Sequence, residues 1–339
     1  KGHAASKPIG AAKAAVYDKY LVGIKQAISL VDVWTRNPFL CFHRNKSLVA
    51  QLRQLIDFLE GEVYNGKALT QKLIITEPEP DRAMFSMTHA PTPFMPPKRF
   101  LVEQGYTQMT LLDVHPVELA RQITLLDFYH LASLRENDLF DGDWQGEKGH
   151  VRAPQMVAYT RWFNHVTYWA VTELLTALNE AQRVEMIERF IAVLQALFDL
   201  RNFNGTMAVL SALNMAVVSR LRRTWARISK KSRKKMAAIA QVMQSQKNFS
   251  NYRELLKSAS RPLIPFQALI CGDIVKAAAG MDTFHADGSI NFLKMIEIAK
   301  LLDVVVTAQQ VPYCFYRVPA IEQFLVTAKT VTDEDELYR

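Results

Sequence analysis

Six of the fourteen prolines in this 339-residue chain (Pro78, Pro80, Pro91, Pro93, Pro96 and Pro97) fall within twenty residues. Proline lacks a backbone N–H and clashes with the preceding turn, so no helix of useful length passes through such a stretch. Residues 77–107 therefore read as a linker or extended strap, and the chain must fold as what lies on either side. Upstream, helix-period apolar spacing occurs at 12–35 and 46–60. Downstream, helix signals follow one another with short breaks. Pro116 stands at a first-turn position, with Ala120, Ile123, Leu126 and Leu134 on one face. Pro154 opens a helix through Trp162 and Trp169 to Leu178, and 183–200 alternates charged and apolar faces. Further helices are predicted over 204–219, 233–246, 250–258, 265–279 and 291–309, with a last one from Pro319. Strand-type alternation is weak and no fixed repeat appears, so the expected class is all-α with crossing helices.

The charge is concentrated. Lys and Arg number 41 against 33 Asp and Glu, a net +8. Residues 220–235 hold nine basic side chains and no acid, so the remainder carries +8 minus nine, or −1. That excludes a uniformly basic chromatin-type protein and leaves a near-neutral fold with one hot segment. Apolar residues at 49% and charged residues at 22% exclude global disorder. Cys41, Cys271 and Cys314 are odd in number and scattered. They fit a reducing, cytoplasmic setting better than a disulfide framework or a zinc site. The N-terminus lacks the apolar run of a signal peptide. The uncharged stretch 202–219 contains three Asn and two Ser, so it reads as a core helix and not a membrane span.

Motifs for bond chemistry fail where the chemistry needs them. Gly61-Glu62-Val63-Tyr64-Asn65-Gly66-Lys67-Ala68 approaches a phosphate-binding loop. However, Ala68 cannot ligate Mg²⁺ and the segment follows a helix instead of a strand. The eight histidines are dispersed without metal-ligand spacing, and His285-Ala286-Asp287 reads as a turn near Gly288. No nucleophile elbow and no Cys beside a base occur. Neither a metal nor a cofactor is expected. Lys230, Lys231, Arg233, Lys234 and Lys235 read first as a solvated loop after a helix. Attraction to an anionic membrane surface is the second reading. Nucleic acid is disfavoured, because only Trp225 interrupts the run with an aromatic ring.

The stretch His115-Pro116-Val117-Glu118-Leu119-Ala120-Arg121-Gln122-Ile123-Thr124-Leu125-Leu126 resembles the opening of the Cdc25-homology catalytic domain of Ras-type guanine-nucleotide exchange factors. The likeness continues in order through Arg161-x-x-Asn164-x-x-x-x-Trp169, Arg189-Phe190-Ile191, Asn202-Phe203-Asn204-Gly205 and Ser211-Ala212-Leu213-Asn214. Arg220-Leu221-x-x-Thr224-Trp225, Asn248-Phe249-x-x-Tyr252-Arg253, Ile264-Pro265-Phe266, Asp273-Ile274 and Ile290-Asn291-Phe292-x-Lys294 follow, then Gln309 and Pro312-Tyr313. Residues 24–59 look, more loosely, like the second half of the Ras exchanger motif that precedes this domain. The expected organisation is thus an N-terminal extension (1–20), an exchanger-motif segment (21–76), the proline-rich linker (77–107) and the catalytic domain (108–339). The family usually runs slightly past the position of Arg339, which suggests an excised piece.

What the resemblance implies is an irregular multi-helix domain with a protruding helical hairpin. It would promote GDP release from a Ras-subfamily small GTPase (Ras, Rap or Ral type) without covalent chemistry. Val157, Thr160, Arg161, Asn164, Met207, Asn214, Phe249 and Phe266 align with positions that line or support the surface for the second switch of the GTPase. Phe266, Asp273, Val275 and Ala279 fall in the hairpin that displaces nucleotide, with Val275 aligned to the apolar residue pushed toward the Mg²⁺ site. Some members carry an acid at the position of Ala279, and some a base at that of Glu297. By residue type alone, Phe249, Phe266 and Met207 also suit an ordinary core, and Asn202 and Asn204 suit ties between helix ends. A degenerate scaffold that holds a GTPase without discharging it is the alternative.

Overall fold

A computed structural model describes residues 109–135 and 149–333, with 90–95, part of 50–57 and single positions at 138, 139, 144, 146, 336 and 337. The N-terminal extension, nearly all of the exchanger-motif segment, the Gly61-to-Ala68 stretch and most of the proline-rich linker lie outside the described residues. Among the described residues, twelve α-helices run between Pro116 and Thr327. They are α1 (Pro116–Ser133), α2 (Gly149–Arg152), α3 (Pro154–Leu175), α4 (Glu180–Asp199), α5 (Phe203–Asn214) and α6 (Ala216–Ser219). They continue as α7 (Arg222–Arg227), α8 (Lys230–Met243), α9 (Gln246–Ser258), α10 (Gln267–Gly280), α11 (Phe292–Gln309) and α12 (Pro319–Thr327). Among the described residues the only β pairing is two isolated bridges, so the fold is all-α.

Local chemistry sets the helix starts. Pro116 and Pro154 occupy first-turn positions where a missing N–H is harmless. Asn179, Asn202 and Ser229 each cap a helix by accepting a backbone N–H with the side-chain oxygen. The Asn179 cap starts α4 three residues earlier than the charge pattern suggests. The predicted 204–219 helix is broken at Met215, whose ψ of 140° ends α5 before α6 begins. The Ser229 cap corrects a further expectation. Lys230, Lys231, Arg233, Lys234 and Lys235 form the first turns of α8 and are not a loop.

The chain divides into two compact units, Lys1–Pro80 with Lys276–Asp303, and Asp81–Val275 with Val304–Arg339. In the second unit α3 packs along α5, and α1 and α5 both pack on α4. Trp169 of α3 is buried, edge-on to Phe190 of α4 (5.4 Å) and Phe324 of α12 (5.8 Å). Burying such a side chain contributes about 1.5–3 kcal/mol. Gln122 ties in the C-terminal segment, donating to the Tyr316 carbonyl (2.8 Å) and accepting from Val318 N–H (3.0 Å). Residues 90–95 are seated on α1. Phe94 N–H donates to Glu118 (3.0 Å), Arg121 donates to the Thr92 carbonyl (3.2 Å), and the Phe94 ring stacks on His115 at 4.0 Å. That part of the proline-rich stretch is therefore a strap.

In the first unit the loop 281–291 between α10 and α11 closes on itself through the Phe284–Ile290 bridge and an Asn291-to-Thr283 backbone bond of 2.9 Å. Gly288 supplies the left-handed turn at φ 79°. Lys294 donates to the Thr283 hydroxyl (3.0 Å).

Candidate functional site

The helical period gathers four of the aligned residues. Val157, Thr160, Arg161 and Asn164 stand at i, i+3, i+4 and i+7 on α3, and so share one face. Thr160, Arg161 and Asn164 are exposed and Val157 is half-buried. The opposite face of α3 is core, with Tyr159, Trp162 and Trp169 buried. Met207 and Asn214, seven apart on α5, occupy one face of the helix beside it, and Thr167 Oγ1 donates across to the Ala208 carbonyl (3.2 Å). Arg161, Asn164 and Asn214 make no side-chain hydrogen bond or ion pair among the described residues. A guanidinium and two amides thus face solvent on this shelf.

An aromatic row borders this shelf. Phe266 is 8% exposed and lies 6.1 Å from Phe163 and 5.9 Å from Phe249, measured between ring centroids. Its backbone is fixed from two sides. Phe203 N–H donates to the Ile264 carbonyl and Ile264 N–H to the Arg201 carbonyl, both at 2.9 Å. These two bonds pin the chain just before Phe266 to the start of α5. Phe266 N–H donates to the hydroxyl of the fully buried Tyr252 (2.8 Å), and burial pushes that phenol up. Phe266 precedes α10, which begins at Gln267. Gln267 Nε2 donates to Thr160 Oγ1 (3.1 Å), joining α10 to the shelf.

Phe249 is presented by unusual backbone. Lys247, Asn248 and Phe249 all have φ between 48° and 59°. Left-handed backbone at a residue with a Cβ costs about 1–2 kcal/mol, so three in succession need external restraint. Arg253 supplies some of it. Its Nε donates to the Asn248 carbonyl (2.8 Å), while its two terminal nitrogens meet the Asp273 carboxylate at 2.6 and 2.9 Å. Asn251 Nδ2 adds a bond to the Gln241 carbonyl (3.0 Å). Asp273 is therefore engaged within the fold, tying α10 to the Phe249 turn. Val275 and Ala279 sit one turn apart on α10, half-buried and exposed respectively.

A second polar cluster lies inside the same helices. Asp127 of α1 is buried and accepts from Asn202 Nδ2 (2.7 Å) and Asn204 Nδ2 (3.0 Å). Asn202 Nδ2 also reaches Thr124 (3.1 Å), and Asn202 Oδ1 caps Gly205 N–H (2.9 Å). A Cβ at Gly205 would lie 2.8 Å from Asn202 and 2.9 Å from Asp127, so only glycine lets these groups close in. Burial pushes the Asp127 carboxyl up to about 6, and the asparagine donors pull the other way. The two asparagines tie helix ends, as their residue type suggests.

Sequence reasoning missed Asp127, Arg253, Gln267 and Phe163. Asp127 had a signal, since Ala120, Ile123, Thr124, Asp127 and Leu131 follow one helical face, all buried. An acid on such a face needs internal donors. Arg253 stands in the Asn248-Phe249-x-x-Tyr252-Arg253 motif, but its pairing with Asp273, like that of Gln267 with Thr160, joins segments distant in sequence. Among the described residues no three His, Cys, Asp or Glu side chains gather to hold a metal, and no helix is long and apolar enough to cross a membrane.

Comparison with known proteins gives a consistent result. Residues 118–296, just over half the chain, match the RasGEF domain family. Ras guanine nucleotide exchange factor Q of Dictyostelium discoideum is 31% identical over 256 residues, 76% of this chain and 20% of that protein. Ras-specific guanine nucleotide-releasing factor 2 of Mus musculus is 30% identical over 222 residues, 66% of this chain and 19% of that protein. The protein son of sevenless of Drosophila melanogaster is 26% identical over 306 residues, 88% of this chain and 19% of that protein. The chain thus spans about a fifth of the length of these relatives.

Proposed function

The chain belongs to the RasGEF domain family, and on that premise we propose that it accelerates GDP release from a small GTPase of Ras, Rap or Ral type. A nucleotide held at picomolar Kd is bound by about −16 kcal/mol, so unaided release is slow. An exchange factor needs no covalent step. It prefers the nucleotide-free GTPase, and by linkage the exchange factor and the nucleotide weaken each other by the same factor.

In this reading the shelf grips the second switch of the GTPase. Arg161, Asn164 and Asn214 give polar contacts, Val157, Thr160 and Met207 line the floor, and Phe249 with Phe266 forms the apolar wall. The segment α10–loop–α11 acts as the hairpin that prises the first switch away. Val275 would occlude the Mg²⁺ site while offering no ligand atom, and Asp273 would hold α10 in place. Switch segments ordered by bound phosphate are lost to the nucleotide once held elsewhere. The observation that supports the reading best is the exposed pair Arg161 and Asn164, without side-chain partners among the described residues, beside a braced aromatic row.

Ala279 favours a second reading, because the helix has no carboxylate there to compete with phosphate. A scaffold would bind the nucleotide-free GTPase without speeding release. A panel of Ras, Rap and Ral GTPases loaded with fluorescent GDP separates the two. Exchange activity predicts at least one accelerated member. Binding with no acceleration selects the scaffold, and neither effect from folded protein removes both readings.

A further inference from the structure

The nine basic residues of 220–235 are not absorbed by the proposed site, and the fold displays them in a particular way. The helices α7 and α8 follow each other with only Ile228 and Ser229 between, and both pack against α4. Two α4 carboxylates meet this edge. Glu180 pairs with Arg227 (3.3 Å), and Glu188 accepts the Ser229 N–H (2.7 Å). Arg222, Arg223, Lys230, Lys231, Arg233, Lys234 and Lys235 remain exposed, and none makes an ion pair among the described residues. The whole of α8 contains no acid.

Internal energetics do not account for this arrangement. A helix N-terminus already carries about half a positive charge from its unpaired N–H groups, and acids are the residues that stabilise it. Here five cations occupy the first six positions of α8, while Ile239 and Met243 at the far end anchor it to the core. The layout is unfavourable for the isolated fold and becomes favourable against a dense array of anions.

The surface also distinguishes among anions. Continuing outward from Lys230 and Lys234, α8 exposes Ala237, Ala238 and Gln241, with no aromatic ring on which a base could stack. Trp225 is half-buried, and its indole N–H is committed to the Val218 carbonyl (3.0 Å). The other residues sum to −1, so the excess of positive charge is confined in sequence to this segment, shorter than the spread of basic residues a nucleic-acid groove calls for. Flexible lysines on a helical ledge suit a plane of headgroups, where each adds independently.

We propose that the α7–α8 ledge docks on an anionic phospholipid bilayer. At about 20 Å, the length of α8 separates its basic end from the α9 turn that carries Phe249, so the ledge and the shelf can be occupied together.

Co-sedimentation of the intact chain with vesicles tests this. Vesicles with about 30% phosphatidylserine should retain the protein and pure phosphatidylcholine should not. Raising salt from about 0.05 to 0.3 M should release it, as screening shortens to a few ångströms. A variant carrying K230Q, K231Q, K234Q and K235Q should partition at least about a hundredfold more weakly, at roughly fivefold per lysine discounted for the charges that remain. Its melting temperature should equal or exceed the parent's, since all four side chains are exposed, make no ion pair among the described residues and crowd positive charge at a helix start. A few millimolar inorganic phosphate at constant ionic strength should not compete. Equal binding to neutral vesicles, unchanged binding by the variant, or tighter binding to an RNA duplex at matched salt would each overturn the proposal.

Discussion

The two ends of α5 carry the same residue type in opposite circumstances. At its start, Asn202 and Asn204 are buried and donate to Asp127. At its end, Asn214 is exposed and makes no side-chain hydrogen bond among the described residues. Both ends fall in motifs that mark the family. The difference lies in solvation. A buried amide without partners costs roughly 1–3 kcal/mol, so the first pair is there for the fold. An exposed amide is satisfied by water and contributes little to folding, so Asn214 is free to meet a partner.

Phe266 sits where the two roles meet, with its backbone in the brace and its ring in the shelf. Phe266→Ala should therefore show the largest effect, removing about 3–5 kcal/mol of stability by denaturant midpoint. Labelled-GDP release should fall about a hundredfold, the size of one hot-spot truncation. If only one of the two quantities moved, the residue would belong to a single class.

The asparagines themselves give the cleanest contrast. Asn202→Ala removes a helix cap and a donor to a buried carboxylate, and should cost about 2–4 kcal/mol. Per folded molecule its exchange rate should stay near the parent's. Asn214→Ala should leave stability within about 0.5 kcal/mol and slow exchange about tenfold. The reverse pattern would collapse the distinction between the ends of α5.

The smallest effect concerns protons. Burial raises the Asp127 carboxyl from 3.8 to about 6 in the folded protein, so the native state binds its proton more tightly than the unfolded chain. That contribution is fully present below about pH 4 and is lost as pH rises through about 6. Between pH 5 and 7 it amounts to about 1 kcal/mol. Asp127→Asn should therefore be more destabilising relative to the parent at pH 5 than at pH 7. An equal penalty at both values would place an ionised Asp127 in the polar cluster throughout.

The helical class and most of the helices were legible from apolar spacing, because Leu119, Ile123, Trp162, Trp169, Phe190 and Ile191 face the core at helical period. Starts governed by one cap were harder to read. Lys230 to Lys235 read as a solvated loop, yet the Ser229 hydroxyl caps them into the start of α8. Val157, Thr160, Arg161 and Asn164 came from the resemblance alone, and the helix places them on one face. The Arg253–Asp273 pairing and the left-handed turn at 247–249 were not. Both depend on contacts between segments that only the folded chain brings together, and no local propensity favours three left-handed residues in a row.

The central claim is that the α3–α5 shelf grips a GTPase and so speeds nucleotide release. Stopped-flow release of fluorescent GDP, for the parent and for Arg161→Ala of equal melting temperature, tests it most directly. The account predicts accelerated release from a Ras-subfamily GTPase by the parent, and a ten- to hundredfold loss in the variant, about 1.5–3 kcal/mol for a charged hydrogen bond. Equal acceleration by both proteins would contradict it.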